Sequence, residues 1–222
     1  MQFFVYLFVF SIVAINADEY CIQQLTTAQA AFNAALGITG ADWNSADALA
    51  NQIYVHYMSD PPTGMRTVCT ASNNYKNALG TDYMKCFNPL QLIRNANGSA
   101  SGISITNAFN YFSVMSQFDF TCGAGFGIFV NDLTHCLPNV FANSTEALKY
   151  CQLVFKNQVA AGDPKMICAY VTTLMDCFTN TFKVCGDIGT FFGCEYARTQ
   201  LINLYPSCNE VSTNCMVNNY NH

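Results

Sequence analysis

The chain has 222 residues, with 9 Lys and Arg against 14 Asp and Glu, for a net charge of −5. The calculated isoelectric point is near 4.9. Charge is sparse and forms no basic cluster, which argues against nucleic acid and anionic lipid surfaces as partners, since both need a basic face.

The N-terminus reads MQFFVYLFVFSIVAINADEY. Phe3 to Ile15 is almost unbroken apolar sequence, with small Ala14 near its end and Ala17 just after it, and then charged Asp18 and Glu19. That order is expected of a secretory signal over residues 1–17, cut between Ala17 and Asp18. The run is shorter than the roughly 18–20 apolar residues of a bilayer span. A mature chain of 205 residues (222 − 17) is long enough to bury a sizeable core in a single domain, 18–222. The C-terminal SCNEVSTNCMVNNYNH is polar and carries no hydrophobic tail, so a soluble product without a stable membrane anchor is expected.

Helical periodicity then runs along the whole mature chain. EYCIQQLTTAQAAFNAALG puts Cys21, Leu25, Ala28, Phe32 and Leu36 on one stripe, with Gly37 as the stop. NSADALANQIYVHYMSDPP opens on a polar cap and ends before Pro61 and Pro62. MRTVCTASNNYKNALG aligns Val68, Tyr75 and Leu79 and closes at Gly80. DYMKCFNPLQLIRN is shorter and breaks or restarts at Pro89. After a small loop at ASGIS come ITNAFNYFSVMSQFDFTCG and GFGIFVNDLTHCLPN. NSTEALKYCQLVFKNQVAAG opens with a capping pattern of Asn143 or Ser144 with Glu146. DPKMICAYVTTLMDCFTNTFKVCG opens with Asp163 as cap and Pro164 in the first turn. DIGTFFGCEYARTQLINLYP is the last segment. Cys122-Gly and Cys185-Gly echo each other and read as one helix-capping solution used twice. Strand-like alternation is weak. The expected fold is all-α, about seven to nine helices joined by short loops.

Twelve cysteines lie downstream of the signal: Cys21, Cys69, Cys86, Cys122, Cys136, Cys151, Cys168, Cys177, Cys185, Cys194, Cys208 and Cys215. The count is even, secretion delivers them to an oxidising compartment, and no two stand at the C-x2-4-C spacing typical of zinc sites. Disulfides are therefore expected. Facing positions in a helical hairpin sum to a constant, which selects Cys177–Cys194 and Cys136–Cys151, and more weakly Cys69–Cys86. Six cysteines stay unassigned. Cys168 and Cys177 lie about 900° apart on one helix and should reach different neighbours.

Catalytic signals are absent from the sequence. His56, His135 and His222 form no ligand spacing, and there is no nucleophile elbow. His135 beside Cys136, on a helix, points about 100° away from it. No acidic motif singles out a pair of carboxylates. The expectation is no enzyme, no metal site and no cofactor. Two N-x-S/T sequons, at Asn97 and Asn143, fall where the helical pattern breaks and are expected to be glycosylated in exposed loops.

The segments CIQQLTTAQAAFNAALG, VCTASNNYKNALGTDYMKC, FDFTCGAGF and CAYVTTLMDCFTNTFKVCG resemble the secreted cysteine-rich helical domains of nematodes. One such group is a domain of unknown function; a related group is the chondroitin proteoglycan type domain. The resemblance spans most of the mature chain and is most specific in the cysteine framework from Cys69 to Cys208. It implies a disulfide-braced helical extracellular protein with no known catalytic residues. Chondroitin attachment needs Ser-Gly in acidic surroundings, and Ser101-Gly102, in NGSASGIS, has no acid beside it.

The leading expectation is a secreted, non-catalytic glycoprotein that binds an extracellular protein or glycan. The alternative is a carrier of an apolar small molecule, with some of the 18 Phe and 12 Tyr lining a cavity between helices. A closed core favours the first, and a continuous apolar cavity of about 300 Å³ or more favours the second.

Overall fold

The computed structural model describes residues 17–59, 61–93, 102–208 and 215. Residues 1–16 of the expected signal, Asn97 and His222 lie outside them, and the expected cleavage bond Ala17–Asp18 falls at the start of the first helix. The architecture is all-α, with no strand among the described residues. The helices are α1 (Ala17–Leu36), α2 (Ala46–Met58), α3 (Pro61–Leu79), α4 (Tyr83–Cys86), α5 (Pro89–Ile93), α6 (Ile105–Ser116), α7 (Phe118–Thr121), α8 (Ala124–Val130), α9 (Cys136–Asn143), α10 (Thr145–Ala161), α11 (Ile167–Phe182) and α12 (Gly186–Ile202). Helix α1 packs along α3, α11 and α12 form a hairpin, and α10 flanks α11.

The stripes legible in the sequence are buried. Cys21, Leu25, Ala28 and Phe32 of α1 are fully buried, as are Val68 and Tyr75 of α3. Gly37 ends α1 with φ 68°, a conformation that a side chain disfavours. Asp163 caps its turn by accepting from the Lys165 N–H at 2.9 Å, with Pro164 in the first position.

Aromatic rings fill the interior. Phe141 is the hub of one cluster, with ring centroids 4.9 Å from Tyr57, 5.3 Å from Tyr54 and Phe182, and 5.7 Å from Tyr196. A second cluster runs through Trp43, Tyr111, Phe112 and Phe87. Each such pair contributes roughly 0.5–1.5 kcal/mol beyond area burial. The buried phenols find partners, as desolvated hydroxyls must. Tyr111 donates to Gln29 Oε1 at 2.6 Å, and Tyr196 donates to Gln117 Oε1. The Gln117 amide in turn donates to the Val114 carbonyl at 2.7 Å.

All twelve cysteines are paired: Cys21–Cys86, Cys69–Cys122, Cys136–Cys185, Cys151–Cys177, Cys168–Cys208 and Cys194–Cys215. Cys168 and Cys177 reach different neighbours, as their phase requires. The three hairpin pairings expected from the sequence do not form, and the helices show why.

In the α11–α12 hairpin the register sum is right but the face is wrong. A Cβ added to Gly193 would lie 2.8 Å from the Phe178 carbonyl oxygen, and one added to Gly189 would lie 2.4 Å from that of Phe182. Both pairs sum to 371, as does Cys177 with Cys194. However, Cys177 precedes the seam residue Phe178, and Cys194 follows the seam residue Gly193. A step of one residue rotates the side chain by 100°. In antiparallel helices these two opposite steps turn the side chains to opposite sides of the hairpin. Cys177 therefore meets Cys151 of α10, and Cys194 meets Cys215.

Cys136–Cys151 fails for a different reason. Only Ser144 separates α9 from α10, too little chain to reverse direction into an antiparallel pair. Cys136 bonds Cys185 instead. Cys69 faces α7 and bonds Cys122, leaving Cys86 on α4 to reach Cys21 on α1.

Three local expectations also change. GFGIFVNDLTHCLPN is two helices, α8 and α9, broken by a turn in which His135 adopts a left-handed conformation with φ 55°. Asp132 stabilises that turn by accepting from the Thr134 N–H at 3.1 Å and the Leu137 N–H at 2.7 Å, the local bonding by which Asp competes with helix. Ser144 makes no side-chain cap to α10; the Thr145 hydroxyl donates to the Phe141 carbonyl instead. Of the two Cys-Gly echoes, Gly186 has φ 71° but Gly123 has φ −104°, so they are not one capping device.

Candidate functional site: an apolar cleft beside the core

A cleft of about 310 Å³ opens beside the aromatic core between α6, α10 and α12. Its floor is Val114, Leu174 and Leu201, all buried. Its walls are aromatic: Tyr205 stands between Phe109 of α6 and Phe155 of α10, with ring centroids at 6.0 and 6.2 Å. Ile105 and Val159, 65% and 41% exposed, form the rim.

Each wall is held in place. Tyr205 follows α12 directly, its N–H donating to the Leu201 carbonyl at 2.8 Å. The Cys168–Cys208 disulfide then ties that segment back to the start of α11. The Cys151–Cys177 disulfide fixes α10 against α11. The cleft is thus bounded by braced elements, the arrangement that keeps a ligand pocket largely pre-formed.

Polar groups in the cleft are few. The Ser113 hydroxyl donates to Gln200 Oε1 at 3.5 Å near the floor. At one edge Lys156 of α10 forms an ion pair with Asp47 of α2. The pair also borders a second hollow of about 410 Å³, which includes Tyr54, Lys149 and Tyr150. Burial raises the Tyr205 phenol above its ordinary value, and burial raises Tyr54 to about 12, so both rings are neutral near pH 7.

The histidines do not converge here. His56 is half-buried on α2 and His135 is exposed in its turn. Among the described residues no cluster of three or more His, Cys, Asp or Glu is placed to hold a metal ion. No described helix is long and apolar enough to cross a membrane. The six disulfides fit an oxidising, extracellular setting. Asn143 is exposed, but as the last residue of α9 rather than in a loop.

The cleft residues were not singled out by sequence reasoning. The signal was present on α10, where Gln152, Phe155, Lys156 and Val159 follow i, i+3, i+4, i+7 spacing, a mixed polar and apolar stripe. The chain matches no protein-family model, no curated protein and no solved structure.

Proposed function

We propose that this is a secreted, disulfide-braced, non-catalytic extracellular glycoprotein that carries a small apolar ligand in the cleft between α6, α10 and α12. The observation that carries the reading is the cleft itself: about 310 Å³, apolar on floor and walls, and framed by two disulfides. Ligand pockets span about 300–1,000 Å³ and combine apolar lining with a few polar groups, which is the composition found here. The N-terminal apolar run, the paired cysteines and the exposed Asn143 support secretion and glycosylation. The resemblance to the nematode cysteine-rich domains agrees with such a scaffold.

The reading is tested with the neutral fluorophore N-phenyl-1-naphthylamine. It should brighten on binding, with one site per chain, and Ala160→Trp should abolish the signal. Ala160 lines the cleft but is exposed, so the tryptophan obstructs entry without disturbing the core. An unchanged signal in a folded Ala160→Trp protein would contradict the assignment.

A second reading, an interaction module for another protein, rests on Tyr150 and Leu153. They stand 64% and 52% exposed on α10 beside the second hollow. It predicts that Tyr150→Ser with Leu153→Ser removes partner binding while leaving fluorophore binding intact.

A further inference from the structure

We infer that the ligand is an amphiphile with a carboxylate head and a medium-length apolar tail, the head being taken by Lys156; this rests on the cleft being the ligand site. Asp47 and Lys156 are the charged side chains in the lining, and they are not equivalent. The Lys156 side chain is 21% exposed, whereas that of Asp47 is 74% exposed. The Lys156 side chain is therefore mostly covered by its neighbours, while its carboxylate partner stands in solvent. An exposed partner of this kind gives an ion pair little net stability. It is also cheaply replaced, because Asp47 regains full hydration when released.

An incoming carboxylate attached to an apolar tail has an advantage that Asp47 lacks. The tail occupies the space lined by Phe109, Phe155, Tyr205 and Leu204, so its apolar surface leaves water as the head reaches Lys156. The head then forms a charge-assisted bond, stronger than one between neutral groups. The cavity lies near the lower end of the roughly 300–1,000 Å³ range of ligand sites, which favours a medium chain over a long one. A cationic amphiphile would meet Lys156 with like charge, and a neutral one would leave the Lys156–Asp47 pair undisturbed.

The experiment measures displacement of N-phenyl-1-naphthylamine by decanoate and by 1-decanol, on the full mature protein at neutral pH. Decanoate should bind at least ten-fold more tightly than the alcohol, a difference of about 1.4 kcal/mol. Lys156→Gln should erase that preference and Lys156→Arg should keep most of it. Asp47→Asn removes the competing carboxylate and should tighten decanoate several-fold while leaving 1-decanol unchanged. A merely structural Lys156 would not produce that opposite response. Equal binding of acid and alcohol, or parallel loss of both in Lys156→Gln, overturns the carboxylate assignment and leaves the cleft reading intact. Failure of the fluorophore and both amphiphiles to bind overturns the cleft reading as well.

Discussion

Gly193 sits on the α11–α12 seam, and replacing it with alanine gives a test whose size follows from the geometry. The added Cβ would lie 2.8 Å from the Phe178 carbonyl oxygen and 2.8 Å from Phe182 Cβ and Cδ2. Ordinary contact begins near 3.4 Å, so the hairpin must open by about 0.6 Å. The obstacle includes backbone and a Cβ, which cannot rotate away. Overpacking of this kind costs about 1–3 kcal/mol, and the alanine recovers at most about 1 kcal/mol in helix propensity. The expected net loss is about 1–2 kcal/mol. Gly127, an exposed helical glycine of α8, is the matched control, since a Cβ there meets nothing within 4 Å. Gly127→Ala should stabilise by about 0.5–1 kcal/mol. Guanidinium unfolding followed by circular dichroism, with disulfides intact, should thus separate the two variants by about 1.5–3 kcal/mol at equal m-value. A Gly193→Ala protein as stable as wild type, or gaining stability like Gly127→Ala, would refute the close seam and with it the account of why Cys177 and Cys194 diverge.

Non-reducing peptide mapping should recover Cys151–Cys177 and Cys194–Cys215 as separate bonds; a Cys177–Cys194 peptide would show that these residues share a side of the hairpin after all. Alkaline titration should find a fold that persists to about pH 10 and then fails cooperatively. Burial raises Tyr54, Tyr57, Tyr75, Tyr111 and Tyr196 above the ordinary value of 10.0, so the stability they contribute is complete below that pH and is lost as pH rises through their folded values. Five such groups weaken the fold by at most about 7 kcal/mol per pH unit. Tyrosinate absorbance should rise together with loss of the near-ultraviolet dichroism, and gradual ionisation of these tyrosines in a folded protein would contradict the buried network. Protein from a eukaryotic secretory host should begin at Asp18 and lose mass on peptide-N-glycosidase treatment, with Asn143→Gln removing one glycan; an unchanged mass for that variant would refute occupancy.

Helices and their buried faces were legible because periodicity is local: Leu25, Phe32 and Val68 declare their stripe within one or two turns. The stops at Gly37 and Pro61 are local too. The disulfide map was not legible, because a pairing depends on helix phase to within one residue. The sum for Cys177 and Cys194 was correct and the face was not. His135 escaped because Asp132 overrides the helical pattern through its own backbone bonds. The cleft escaped because Phe109, Phe155 and Tyr205 come from segments far apart in sequence, brought together by helix packing that no local pattern encodes.

The cleft carries the functional account, and methyl-detected NMR of the protein titrated with decanoate tests it most directly. Shifts should concentrate on Ile105, Val114, Val159, Leu174, Leu201 and Leu204, the Ile, Leu and Val residues of the lining. Methyls remote from the cleft, such as Leu25 and Val68, should stay in place. Saturable shifts confined to that set are the predicted result. Shifts confined to the second hollow at Leu153, or none at all at millimolar decanoate, would contradict it.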